Sequence, residues 1–181
     1  MIDMYRPNTN INRSSLLQGD IISQVHVLGA INLNSISYLT NNNDYCGWQI
    51  TNAPIFADVM ILSHSCEISL DNKVKVTSII LAPIRDVNTA TRPEKIDQLR
   101  STNNIDEHTS TSFLKYYYLE PNEYFSHKEG AIVDFSKLFS VRKQSYNTLL
   151  ENKIVELEDE YVYSMSRKLS LYFYRNRLQA A

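Results

Sequence analysis

Glycine is scarce in this chain, with 4 among 181 residues. Phosphate-cradling loops rely on glycine to bring backbone N–H groups close to the ligand, so the usual nucleotide-binding loops are excluded. The stretch Ser14-Ser15-Leu16-Leu17-Gln18-Gly19-Asp20 shows no such pattern. Cysteine is also rare: Cys46 and Cys66 alone do not make a disulfide scaffold. No apolar run approaches the roughly 18 residues of a membrane span, and the first residues lack a charged-then-apolar leader pattern. A reducing cytoplasm with no membrane contact is therefore the expected setting. A dominant charge is missing too, since 18 Lys and Arg face 20 Asp and Glu for a net −2. Nothing draws the chain as a whole to nucleic acid, and such binding requires a local basic patch.

What is present fits a globular domain. A hydrophobic fraction of 43% and a charged fraction of 21% support a proper core in one domain. The 12 tyrosines are amphipathic, suited either to half-buried sheet positions or to an interface.

Residues 1–18 are polar, with Asn8, Asn10 and Asn12, and read as a loosely held lead-in to a single domain over 19–181. Gly19-Asp20 signals a turn before a β-prone run from Ile21 to Ile31. Residues 32–53, with Asn41 to Asp44 and Cys46-Gly47-Trp48, form an insertion that reads as a functional loop or a decorated hairpin. Runs at 57–65 and 74–83 flank the turn Asp71-Asn72-Lys73, and the second is expected to stop at Pro83. A second insertion, 85–111, contains a short helix opened by Arg92-Pro93. Phe113 to Leu119 and Ala131 to Phe135 complete a sheet body over 19–141.

The remainder, 144–181, is helical. After a brief helix at Ser145 to Glu151, a long one begins with Glu156, Glu158, Asp159 and Glu160 and later carries Arg167, Lys168, Arg175 and Arg177, matching the macrodipole. Val162, Met165, Leu169 and Phe173 form one apolar stripe and Leu171, Tyr174 and Leu178 a second, which predicts packing on two sides. The expected class is α+β: a small curled antiparallel sheet or SH3-like barrel of about five or six strands, with a packed C-terminal helix.

The richest chemistry lies at Ala57-Asp58-Val59-Met60-Ile61-Leu62-Ser63-His64-Ser65-Cys66-Glu67-Ile68. Read as a strand, this run places His64 and Cys66 on one face and Ser63, Ser65 and Glu67 on the other. His64 and Cys66 could form a base and nucleophile, although residues two apart on a strand sit roughly 6–7 Å from each other. The competing reading is a buried thiol closing a core strand. Zinc held by Cys46, His64, Cys66 and one of His26, His108 or His127 lacks the short ligand spacing of convincing sites. Asp20, Asp58, Glu67 and Asp134 could converge at one rim without any spacing that requires a metal. No cofactor and no metal is expected.

Gly19-Asp20-Ile21, the strand ending Leu62 to Ile68, and Leu81-Ala82-Pro83-Ile84 resemble a module of uncharacterised prokaryotic proteins whose strand ends Ser-x-Ser-Cys-Asp/Glu. Tyr118-Leu119-Glu120-Pro121, Val133 to Leu138 and Arg167 to Arg175 continue the likeness over 19–177. The Gly-Asp-Ile start also resembles the SH3-like barrel of PemK/MazF-type toxin endoribonucleases. Those carry an Arg-Pro before the central strand; Phe56-Ala57-Asp58 stands here instead, so the resemblance implies the fold and not the nuclease chemistry.

The reading that follows is an intracellular binding module of a prokaryotic or phage-related system, defence among its settings. It would engage a protein or nucleic-acid partner beside the 57–66 strand end. Ser63, Ser65, Trp48, Arg167 and Arg175 are the partner-binding candidates. The alternative is a nuclease-like or Cys-dependent enzyme centred on His64, Cys66 and Glu67 with Asp20.

Overall fold

The computed structural model describes residues 3–27, 36–40, 46–50, 55–69, 77–104, 113–124 and 127–179. The strands among them are β1 (Ile21–Val27), β2 (Ile36–Thr40), β3 (Cys46–Ile50), β4 (Ile55–Ile61), β5 (Ser78–Asp86), β6 (Tyr116–Leu119), β7 (Ala131–Asp134), β8 (Phe139–Arg142) and β9 (Lys153–Val155). The helices are α1 (Ser65–Ile68), α2 (Ile96–Ser101), α3 (Tyr146–Glu151) and α4 (Asp159–Gln179). β2 and β3 pair with each other as an antiparallel hairpin within the 32–53 insertion. The other seven strands form one antiparallel sheet in the order β6-β7-β5-β4-β1-β9, with β8 also on β5. The α+β class, the antiparallel sheet and the C-terminal helix agree with the sequence. The barrel alternative does not, because β6 and β9 end the sheet without pairing to each other.

Strand period sorts the core into layers. Met60 and Leu62, Ala82 and Ile84, Tyr117 and Leu119, and Ala131 and Val133 face one side, where Met165, Val162 and Leu169 of α4 close over them. Val59 and Ile61 with Ile79 and Leu81 face the other, against Leu16, Ile68, Tyr146 and Leu149. Tyr116, Tyr118 and Ile132 turn to Ile96 and Leu99 of α2 in a third cluster. Both faces of the sheet are therefore covered by apolar side chains from helices and flanking segments.

Two local irregularities depart from simple alternation. A bulge at Ser23-Gln24, where Gln24 takes a φ of 53°, shifts the β1–β4 register and returns Val25 to the face of Ile22. β5 also runs through Pro83 to Asp86, where the sequence predicted a stop. Leu62 N donates to Ile80 O and Val87 N to Gly130 O, so by alternation the Pro83 nitrogen points to the β7/β8 edge. That edge is interrupted there: between Leu81↔Phe139 and Ile84↔Val133 the partner strand inserts three residues, the 3-10 turn Phe135–Lys137. The missing N–H falls where no ladder bond is required.

The lead-in is not loosely held. Met4, Tyr5 and Leu16 are buried, Tyr5 bridges to Leu157, and Leu16 N donates to the Tyr146 hydroxyl at 2.8 Å. On α4 Met165 is buried and Val162, Leu169 and Leu171 are half-buried, whereas Phe173 of the first predicted stripe and Tyr174 of the second are exposed; the Leu178 side chain lies outside the described residues. The turn at 71–73 lies outside the described residues. Among the described residues no helix is long and apolar enough to cross a membrane.

Candidate functional site

The end of β4 is built by substitution of side chains for backbone. Leu62 N still bonds to Ile80 O, but Ile80 N is taken by the Ser63 hydroxyl at 2.8 Å, which terminates the ladder. His64 then caps the single turn of α1. The opposite wall is the Gly19-Asp20 turn, tied to β4 by Gly19 N to Ile61 O and Ile61 N to Asp20 O, both 2.9 Å. Gly19 has a φ of 89°, and a Cβ there would stand 2.7 Å from Cγ2 of Val162 on α4. Glycine is thus required both by the turn and by the helix that closes over it.

Between these walls lies a cavity of about 220 Å³ lined by Arg6, Gln18, Asp20, His64, Ser65, Glu156 and Asp159, with Leu17, Leu157 and Val162 as its apolar part. Its charged floor is a buried trio. Lys153 Nζ donates to Asp20 Oδ2 at 2.8 Å and also to Glu156 Oε1, and it reaches the carbonyls of Asn12 at 2.7 Å and Ser15 at 3.2 Å. Burial pushes the Asp20 carboxyl up to about 7, against the pull of the Lys153 ammonium and the Leu17 N–H. Two carboxylates share one ammonium, and neighbouring Glu156 adds to the push on Asp20.

Arg6 arches over this floor with Glu156 Oε2 at 3.6 Å, Glu158 at 3.8 Å and a closer contact to Asp159. Two atoms here are buried with no hydrogen-bond partner among the described residues: Arg6 Nε, a donor, and Glu156 Oε2, an acceptor. The Glu156 side chain is 2% exposed. Their neighbours stand at ion-pair distance instead: Arg6 Nε is 3.8 Å from Glu158, and Glu156 Oε2 is 3.6 Å from Arg6 Nη1.

The predicted residues divide. Asp20, His64 and Ser65 line the cavity together. Ser63 is buried and its hydroxyl is committed to Ile80, which removes it from partner contact. Cys66 and Glu67 are exposed on α1 and lie outside the lining. The strand reading of this pair is corrected: β4 stops at Ile61, and the helical turn brings His64 Nδ1 to 3.0 Å from Cys66 Sγ. The buried-thiol reading is corrected with it, because Cys66 is exposed. Arg167 is exposed on α4, and neither it nor Arg175 lines the cavity. The side chains of Trp48, Cys46 and His26, and all of His108, lie outside the described residues.

The four carboxylates expected to converge are dispersed. Asp20 is in the trio, Asp58 lines a separate cavity with Phe56 and His127, Glu67 is on α1, and Asp134 pairs with Arg85 at 3.1 Å. Among the described residues no group of three or more His, Cys, Asp or Glu side chains is placed to hold a metal ion.

Sequence reasoning missed Arg6, Lys153, Glu156 and Asp159. Arg6 sat in a segment read as lead-in, and Glu156 and Asp159 were absorbed into the dipole of α4. Lys153 lies on β9, a strand of three residues too short to show a pattern. Comparison with protein-family models and with curated proteins gives no match for this chain.

Proposed function

We propose that the chain is a binding module that receives a partner protein at the cavity beside the end of β4. The observation that carries this reading is the cavity itself, whose wall sets the Arg6 guanidinium among the carboxylates of Glu156, Glu158 and Asp159. An amide suits such a wall, since its oxygen can accept from a guanidinium and its N–H can donate to a carboxylate. A partner's Asn or Gln side chain, or its backbone, supplies that group. Gln18, whose amide is held to Leu62 O at 2.8 Å, and Ser65, whose hydroxyl takes Gln18 N at 3.0 Å, fix the rim. A rim held by such contacts limits the ordering cost on binding.

The test uses Ser65→Arg, which fills the mouth from a half-buried position. Tagged wild type should co-purify a specific partner that Ser65→Arg loses at an unchanged melting temperature, while Cys66→Ser retains it. An identical set of co-purified proteins for wild type and Ser65→Arg would refute the reading.

A second reading rests on His64 Nδ1 at 3.0 Å from Cys66 Sγ, the geometry of a base beside its nucleophile. Against it, Cys66 faces solvent outside the cavity, and the contact is one that a capped helical turn makes locally. Modification of Cys66 by iodoacetamide more than about tenfold faster than that of glutathione at the same pH would favour this enzymatic reading.

A further inference from the structure

A second and larger cavity than that beside β4 lies on the α2 side of β6, and the reading above does not use it. It measures about 560 Å³ and is lined by Ala90, Thr91, Arg92, Lys95, Gln98, Phe113, Lys115 and Tyr116. Its floor is the margin of the third apolar cluster, where Phe113 and Tyr116 pack with Ile96 and Leu99. Its rim is basic. Arg92 caps the 3-10 turn Pro93–Lys95, Lys95 ends that turn, and Lys115 precedes β6 with its Nζ 4.8 Å from the centre of the Tyr116 ring.

All three cations are exposed, and none has a carboxylate within ion-pair distance among the described residues. Among the described residues no acidic side chain belongs to the lining. Asp97 on the adjoining helix turns to Arg100 at 3.2 Å, and the exposed Glu94 stands outside the cavity. A chain of net charge −2 thus gathers three exposed cations, unpaired among the described residues, round one aromatic-floored hollow. This is the local basic patch that nucleic-acid binding by a near-neutral chain requires.

We propose that this cavity binds single-stranded nucleic acid, with Arg92, Lys95 and Lys115 on successive phosphates and a base entering the hollow toward Tyr116 and Phe113. Spacing of the cations over two elements suits a backbone that passes along the rim. A free nucleotide is disfavoured because the described lining contains no glycine to cradle a polyphosphate. A rigid duplex cannot send a base into a concave floor.

The experiment is fluorescence anisotropy of the full chain with a labelled ten-nucleotide single strand between 50 and 200 mM NaCl. Three phosphate contacts on a single strand give a log–log salt slope of about −2, a weakening of roughly 20-fold across that range. The double variant Lys95→Gln, Lys115→Gln should bind about tenfold weaker or more, with a slope nearer −0.7. Arg92→Glu serves as an independent variant at the same rim and should weaken binding comparably. Arg167→Gln, an exposed cation outside the cavity, should change affinity by less than twofold. All the altered side chains are exposed, so unchanged melting temperatures certify the fold. Absence of saturable binding, an unaltered slope in the double variant, or equal competition by a mononucleotide or a duplex would each overturn the proposal.

Discussion

Two lysines of this chain are withdrawn from water, and their surroundings could hardly differ more. Lys153 sits between the carboxylates of Asp20 and Glu156 and donates to two carbonyls besides. Among the described residues Lys168 donates only to the Thr102 hydroxyl at 2.7 Å and the Asn103 amide oxygen at 3.4 Å, with the Tyr117 ring centre 6.0 Å away. No carboxylate faces it among the described residues, and burial alone pushes its ammonium down to about 7. The lesson is that depth in a core does not decide a lysine's role; its partners do. Lys153 holds a charged floor together under the candidate site. Lys168 pins α4 to the segment whose Asn103 brackets both the N–H and the carbonyl of Tyr118.

Removing the two side chains should separate these roles. Lys153→Met strands Asp20 and Glu156 without their shared cation, and breaking a buried pair in this way costs about 3–5 kcal/mol. Urea unfolding at pH 7.5 should show that loss, together with the loss of partner binding. Lys168→Met should act in the opposite direction, on the order of 1–3 kcal/mol more stable than wild type at pH 6. The sign follows from proton counting. Between about 7 and the ordinary lysine value of 10.5, the unfolded chain binds a proton that the folded chain lacks. Stability of the wild type therefore rises with pH through that window, and the advantage of Lys168→Met shrinks toward pH 10.

Asp20→Asn acts on the slope of the pH profile, and in another window. The folded carboxyl keeps its proton up to about 7 while the unfolded one loses it near 3.8, so this group's stabilisation is full below 3.8 and lost by pH 7. The variant should flatten the stability profile there by about 1.4 kcal/mol per pH unit at most, read from urea midpoints at pH 4 to 7.

Much of the frame was legible because it rests on period and punctuation. The α4 stripe of Val162, Met165 and Leu169, the turn at Gly19-Asp20 and the apolar run through Val59 to Leu62 all show in their spacing. What failed depended on contacts between distant segments. Pro83 continues a strand only because the turn Phe135–Lys137 breaks the facing ladder some fifty residues later in the chain. β9 is too short to carry an alternation, yet it delivers Lys153. Tyr5 and Arg6 look like a polar preamble until Leu157 and Glu156 are placed beside them.

The site divides along the same line. Asp20, His64 and Ser65 could be singled out because reactive residue types crowd a strand end. The geometry between them could not, since Ser63 and His64 end the strand by capping and rotate Cys66 and Glu67 away from the cavity. Arg6 and Glu156 carry the chemistry of the floor from opposite ends of the chain, a pairing no local pattern encodes.

The central claim is that the cavity walled by Arg6, Glu156 and Asp159 is a receptor for an amide-bearing partner. Titration of ¹⁵N-labelled chain with acetamide, followed by ¹H–¹⁵N correlation spectra, addresses it directly. Saturable shifts should concentrate on the Arg6 Nε–H and on the Asn12 N–H that donates to Glu156 Oε1. Those signals should stay still in Ser65→Arg. Shifts that never saturate, or that gather elsewhere while Arg6 and Asn12 remain in place, would contradict the account.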